Sequence, residues 1–273
     1  MEENILVIDI GNTNTVVGIY TNTELLRTWR ILSDKTKTVD DYYSLFINFL
    51  SNYQIDYISI ASVVPIIGAN IEGMIKKYFN IPYNFVNGNT ELGLKYSVED
   101  PSFIGADLIA NAFAAWQIYK KNCIIFDFGT ATTIQLVGQD GFYYGVSILP
   151  GLMTAVDSLI KNAAMLKDVS LETFNNQSKY IPSLGSNTKD SILSGIILSH
   201  IYTIEGFEKR IKEDYSELSD IEIIATGGLA QVVIEQLTLP LKQAIHLDKN
   251  LTLEGLFLIS KKLLVTKNKN SVI

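Results

Sequence analysis

The sequence predicts an α/β protein made of two duplicated domains with a cleft between them, and three observations carry that expectation. Ile8-Asp9-Ile10-Gly11-Asn12-Thr13-Asn14-Thr15 and Phe126-Asp127-Phe128-Gly129-Thr130-Ala131-Thr132-Thr133 both place Asp-x-Gly at the end of an apolar strand, with hydroxyl residues leading into the next. Each copy opens a series of three short apolar runs broken by turn residues, with helical patterns downstream. A chain of 273 residues, 47% hydrophobic and 19% charged, is large enough to bury two cores of roughly 120 to 150 residues each.

The elements follow in order. Residues 5–10, 16–20 and 25–32 read as strands of an antiparallel meander, joined by Gly-Asn-Thr-Asn and Thr-Asn-Thr turns. A helix follows, capped near Thr38 or Asp40, with Tyr43, Phe46, Ile47 and Leu50 at helical spacing. Residues 57–64 form a short buried strand interrupted by Pro65 and Gly68, 71–78 a helix and 83–86 another strand. The polar stretch 87–102 closes the first domain, so the expected domains are 1–102 and 103–273. A helix over 106–119 then carries enough alanine for close packing. The second copy continues with strands at 123–127, 133–137 and 142–149, helices at 152–160, 188–213 and 251–264, and a strand at 221–226 running into Gly227-Gly228. The tail from Lys267 is expected to fray.

Composition narrows the function. A net charge of −7 argues against nucleic acid as the main partner, because neutralising phosphates requires a basic face. A small anionic ligand stays open, since glycine-rich turns and a bound cation neutralise a nucleotide locally. Cys123 is the only cysteine, which removes intrachain disulfides and cysteine metal clusters and reads as a core thiol. The chain enters an apolar strand at once, without a signal-like stretch, and no apolar run approaches the roughly 20 residues that span a membrane. A cytoplasmic location is expected.

At a strand end, the Asp9 carboxylate would face a crevice while Gly11 permits a tight turn and close approach of backbone to phosphate. Ile10, Asn12, Thr13, Asn14, Thr15 and Val16 complete the segment, and a magnesium ion near Asp9 suits phosphoryl transfer. A lone Asp-x-Gly-x-Thr is equally a conformational hairpin signal. The second copy at Asp127, Gly129 and Thr130, with Thr226-Gly227-Gly228 after a late strand, strengthens the phosphate reading, although a glycine pair is also a plain strand-to-helix turn. Gly105-Ala106-Asp107 opens a helix. There Asp107 reads either as a first-turn acid favoured by the helix dipole or as a general base for a substrate alcohol. His200 and His246 lack a second histidine at metal-binding spacing and read as structural.

Taken together, DIGNTNT at 9–15, WRILSD at 29–34, KTVDDYY at 37–43, ASVVP at 61–65, Tyr96 with Pro101, GAD at 105–107, FDFGTATT at 126–133, ILPGL at 148–152, NT at 187–188 and TGG at 226–228 resemble a type III pantothenate kinase. The likeness runs over residues 4–262. It implies two ribonuclease H-like domains of the actin-like ATPase kind with a nucleotide cleft, and ATP-dependent phosphorylation of pantothenate, the first step of coenzyme A synthesis. It also implies a homodimer that needs magnesium and a monovalent cation, potassium or ammonium. By the same resemblance, residues 9–16 and Thr130 hold ATP, Asp127 the monovalent cation, and Asp107 accepts the proton. Tyr96, Gly105, Ala106, Asp107 and Thr188 line the pantothenate pocket. Leu108 occupies a pocket position where the family usually has arginine, and Tyr144-Gly145-Val146-Ser147 stands where a Gly-Gly pair is usual. Two other classes remain open: a non-catalytic nucleotide-binding regulator of the same fold, and an ATPase signalling nucleotide state to partners, for which the chain has little room for insertions.

Overall fold

The computed structural model describes residues 3–98, 100–162, 181–237 and 239–270. The chain divides into two compact units, Met1–Gln117 with Leu251–Ile273, and Ile118–Asn250.

The first unit runs β1 (Asn4–Ile10), β2 (Asn14–Thr21), β3 (Glu24–Leu32), α1 (Val39–Leu50), β4 (Tyr57–Ser62), α2 (Pro65–Met74), a π-helical turn (Ile75–Phe79), β5 (Tyr83–Phe85), β6 (Lys95–Tyr96), a 3-10 turn (Pro101–Phe103) and α3 (Ala106–Tyr119). Its sheet has the order β3-β2-β1-β4-β5. The meander β1–β2–β3 is antiparallel, and β4 and β5 add in parallel beside β1. The second unit repeats this plan with β7 (Asn122–Phe128), β8 (Ala131–Val137), β9 (Phe142–Pro150), α4 (Leu152–Asn162), α5 (Thr188–Asp214), β10 (Ile221–Thr226), α6 (Ala230–Gln236), α7 (Leu239–Ala244) and β11 (Ile245–Leu247). Here β7, β8 and β9 form the antiparallel meander and β10 and β11 the parallel strands. The duplication expected from the two Asp-x-Gly copies is therefore realised strand by strand. The chain then returns to the first unit as α8 (Leu251–Asn270).

The strand β1 sits between two layers, because alternate residues face opposite sides of a sheet. Leu6, Ile8 and Ile10 pack with Tyr42, Phe46 and Leu50 of α1 and Ile67, Ile71 and Met74 of α2. Ile5 and Val7 pack with Ile109, Ala110 and Phe113 of α3 and Leu253, Leu256 and Phe257 of α8. Removing each of the Val, Leu, Ile, Phe and Met side chains among these from water contributes about 1.5 to 3 kcal/mol.

That second layer corrects the expected division at 102/103. Both α3 up to Gln117 and the returning α8 belong with the first unit, because their apolar faces share one core with β1 and β4. Other differences are local. Thr38 rather than Asp40 caps α1, through a capping box with Asp41. Of the α1 residues expected at helical spacing, Phe46 and Leu50 are buried and Tyr43 is half-buried against the same core, whereas Ile47 is 44% exposed and Tyr42 joins the buried stripe instead. Helix α2 begins at Pro65, six residues before the expected start at 71, because proline at the first helical position loses no hydrogen bond. The last helix continues to Asn270 where 264 and a frayed tail were expected; residues 271–273 lie outside the described residues. The short β6, α6, α7 and β11 carry too few periodic residues to be read in advance. Among the described residues, no helix is long and apolar enough to cross a membrane.

Candidate active site

In the first unit, Asp9 lies half-buried at the end of β1, opposite Val16 of β2 and Ala61 of β4. The chain then turns tightly. The Gly11 N–H donates to Asn14 O at 3.0 Å, and a side chain at Gly11 would bring its Cβ to 3.0 Å from that same oxygen. Asn12 and Thr13 are exposed at the tip, with Asn14 half-buried behind them. Ile10 and Thr15 are fully buried and Val16 packs against the α3/α8 layer, so these three can offer a ligand only backbone groups. Ser33, just past β3, reaches this turn three times. Its N–H donates to Thr13 O at 3.0 Å, its Oγ to Gly11 O at 2.6 Å, and Thr15 Oγ lies 3.0 Å from its Oγ.

Asp107 stands in the first turn of α3. Its Oδ1 accepts the Leu108 N–H at 2.8 Å, so the acid also caps its own helix, and the two readings of a first-turn acid are not exclusive. Burial pushes its carboxyl above the ordinary aspartate value, partly opposed by the Leu108 amide. Gly105 makes room for this arrangement, since a Cβ there would stand 2.5 Å from Asp107 Oδ1. Ala106 and Leu108 are buried on either side. Tyr96, on β6, is half-buried, and burial raises its phenol above the ordinary value.

The buried Leu108, only 7% exposed, yields a prediction. Arginine at this position would carry a guanidinium into a buried position, at an effective cost of several kcal/mol where no acid meets it. Leu108→Arg is therefore expected to melt at lower temperature and to bind pantothenate no better than the parent. Thermal denaturation with calorimetric titration checks this; tighter binding at unchanged melting temperature would show an acid in place to receive the charge.

The second unit gathers its own set. Asp127 is half-buried near the end of β7, in register with Thr226 of β10. Gly227 has φ of +92°, and a Cβ on it would lie 2.5 Å from Asp127 Oδ1 and 2.7 Å from Phe128 N. Only glycine lets the loop after β10 pass this close over the end of β7. Gly228 follows with open space around it. Thr130 is exposed at the β7–β8 turn, and its carbonyl accepts from Gly151 N at 3.1 Å and Thr154 Oγ at 2.6 Å, tying the turn to the start of α4. Thr188 stands apart from this group. It opens α5 after the cap residue Asn187 and lines an open groove of 590 Å³ with Leu159, Ser191, Ile192, Gly195 and Ile196.

Among the described residues, no cluster of three or more His, Cys, Asp or Glu could hold a metal. Magnesium needs no such cluster: it takes one or two carboxylates, keeps several waters and fills its shell from phosphates. Asp9, half-exposed at a strand end, fits that demand. Gly227 brings the loop after β10 close against the Asp127 carboxylate, whose oxygens are hard ligands of the kind an alkali cation takes. His200 is buried in α5 with Nδ1 2.9 Å from Ile196 O, and His246 pairs with Glu222 at 2.6 Å. Both are structural contacts. Cys123 is a buried thiol pushed up to about 12 by burial.

Each unit thus carries its own candidate group: the turn 11–15 with Asp9 and the start of α3 in the first, and Asp127, Thr130 and Gly227 in the second. Ser33 was missed by the sequence reading. It lay inside the quoted WRILSD segment, but a serine after a strand reads as ordinary turn chemistry, and only the fold shows what it reaches.

Comparison with known proteins agrees with this architecture. A curated type III pantothenate kinase from Halalkalibacterium halodurans is 38% identical over 264 residues, covering 94% of this chain and 99% of the relative. Solved structures share the fold at low identity. An activator of the 2-hydroxyisocaproyl-CoA dehydratase from Clostridium difficile with bound ADPNP matches at 13% identity and a TM-score of 0.56, covering 98% of each chain. MreB5 of Spiroplasma citri bound to AMPPNP matches at 10% identity and a TM-score of 0.54, covering 99% of each. These neighbours make the fold that of the actin-like ATPases. The model of the type III pantothenate kinase family matches residues 5–210, and with the curated relative it shows that this chain belongs to that family.

Proposed function

We propose that the protein transfers the γ-phosphoryl group of ATP to the primary hydroxyl of pantothenate, forming 4'-phosphopantothenate at the entry to coenzyme A synthesis. The observation that carries this reading is a family match over most of the chain, joined to a first-turn carboxylate whose basicity is raised by burial. Asp107 takes the hydroxyl proton as the oxygen attacks, and a raised pKa makes it a better acceptor than an exposed aspartate. The turn 11–14 and the Thr130 and Gly227-Gly228 loops hold the nucleotide through backbone amides and small donors, and phosphoryl transfer depends mainly on such positioning. Tyr96, residues 105–108 and Thr188 bind pantothenate. Asp9 is the residue to hold magnesium and Asp127 the one to hold potassium or ammonium; when bound, these ions offset phosphate charge. A cytoplasmic homodimer belongs to the same reading and is supported by the family resemblance.

The test is ATP turnover by the purified protein with and without pantothenate. Turnover that requires pantothenate and yields a phosphorylated product supports the kinase. Nucleotide binding without turnover would favour a regulator, and turnover indifferent to pantothenate an ATPase. In the same assay, replacing potassium with sodium is expected to lower the rate, because the larger ion loses its hydration shell more easily on entering a protein site. Equal rates with every monovalent cation would remove the cation from Asp127.

A further inference from the structure

We infer that Ser33 is a positioning residue for phosphate binding, and that the Thr15 hydroxyl serves Ser33 rather than the nucleotide; this rests on the kinase reading of the turn at 11–15. The argument begins with proton counting. A serine hydroxyl has one proton to give, and Ser33 Oγ lies 2.6 Å from the Gly11 carbonyl, which can only accept. The contact of 3.0 Å between Thr15 Oγ and Ser33 Oγ must then be donated by Thr15. With its proton committed and its side chain fully buried, Thr15 has no donor left for a phosphate oxygen. The chain of bonds runs Thr15 to Ser33 to Gly11.

The end of that chain has a directional effect. No peptide bond among the described residues is cis, and in a planar trans peptide the C=O and the following N–H point in opposite directions. Fixing the Gly11 carbonyl toward Ser33 therefore turns the Asn12 N–H away from Ser33, at the exposed tip of the turn. The Ser33 N–H holds the Thr13 carbonyl at 3.0 Å as well, so two of the three peptides after Gly11 N are anchored by Ser33. A backbone amide aimed in advance binds an anion without the entropic cost of ordering a loop. Ser33 thus acts on the nucleotide through the backbone and touches none of it.

The experiment measures ATP affinity by calorimetry and KM for both substrates in four proteins: parent, Ser33→Ala, Thr15→Val and the double variant. Ser33→Ala is expected to weaken ATP binding about tenfold and, through its two lost internal hydrogen bonds, to lower the melting temperature by a few degrees, with KM for pantothenate nearly unchanged. Thr15→Val should act in the same direction more weakly, and adding it to Ser33→Ala should cost nothing further, since the hydroxyl then has no partner to steady. Ser33→Thr, which keeps the hydroxyl, should restore ATP affinity. Additive losses in the double variant would make Thr15 a direct phosphate ligand and overturn the inference. So would a Ser33→Ala protein with parental ATP affinity, or one in which KM for pantothenate rises as much as KM for ATP. Parent protein that binds ATP but does not phosphorylate pantothenate would sink the kinase reading alone, because the four affinities still report on the turn.

Discussion

Asparagine at position 107 lowers pantothenate-dependent ATP turnover by about 10²- to 10⁴-fold, the usual loss when a general base is removed, while the protein becomes no less stable at neutral pH. The two halves of this expectation have one cause. Burial holds the Asp107 carboxyl above its ordinary value, so the folded protein takes up a proton there more readily than the unfolded chain. The stability from this group is fully present below the unfolded value of 3.8 and is lost as pH rises through the raised folded value. Above that point the folded enzyme carries a poorly solvated charge. Asparagine keeps the shape, can still accept the Leu108 amide, and carries no charge at any pH. The melting temperature of Asp107→Asn should therefore exceed the parent's most at neutral pH, and the gap should close in acid. A variant with parental turnover would take Asp107 out of the chemistry. One that is less stable at pH 7 would mean that the ionised carboxylate stabilises the fold, as a helix cap does.

The second large effect is expected at Gly255, where α8 crosses α3. A Cβ on Gly255 would lie 2.1 Å from the Ala110 carbonyl oxygen and 2.6 Å from its carbon. Both are backbone atoms of a helix and cannot swing aside as a side-chain tip can. Gly255→Ala must push α8 off α3, opening the core shared by Phe113, Leu256 and Phe257 and straining the bond from Thr252 Oγ to Asn111 Oδ1, which is 2.7 Å long. Overpacking of this kind costs roughly 1 to 3 kcal/mol, and each kcal/mol lowers the melting temperature of a domain this size by about 2 to 4 °C. Turnover should fall as well, because α3 carries Asp107. Thermal denaturation and steady-state kinetics on the same preparation check both, and an unchanged melting temperature would mean that the two helices slide apart freely.

Much of this molecule was legible before its fold was known, and what escaped has physical reasons. The repeated Asp-x-Gly segments announced the duplicated meanders because an apolar strand, a glycine turn and a hydroxyl-rich second strand are local features, readable within about ten residues. The placements of Asp9, Asp127 and Gly227 at strand ends follow from the same local chemistry. The domain boundary was misread because what assigns α3 and α8 to the first unit is a contact between residues more than a hundred positions apart, Gly255 against Ala110. Ile47 was misplaced in α1 because it is as apolar as its neighbours Phe46 and Leu50, which are buried. Ser33 was invisible for a related reason: its three bonds run to residues 18 to 22 positions upstream in the chain, and no pattern within WRILSD encodes them.

The return of α8 also bears on how the protein is made. A core begun by β1 near residue 4 is completed by apolar side chains between Leu253 and Ile259, so it cannot close until that stretch has left the ribosome. The segment Ile118–Asn250, continuous in sequence, is under no such constraint and can acquire its structure as it emerges, in keeping with domain-wise folding during synthesis. For this layer translation order and folding order are inverted: Ile5 and Val7 wait for side chains of α8, while Leu6, Ile8 and Ile10 on the other face need only α1 and α2. Until α8 emerges, the part of β1 and β4 that Leu253, Leu256 and Phe257 cover stays an apolar surface, the kind that chaperones hold and that aggregates when they do not.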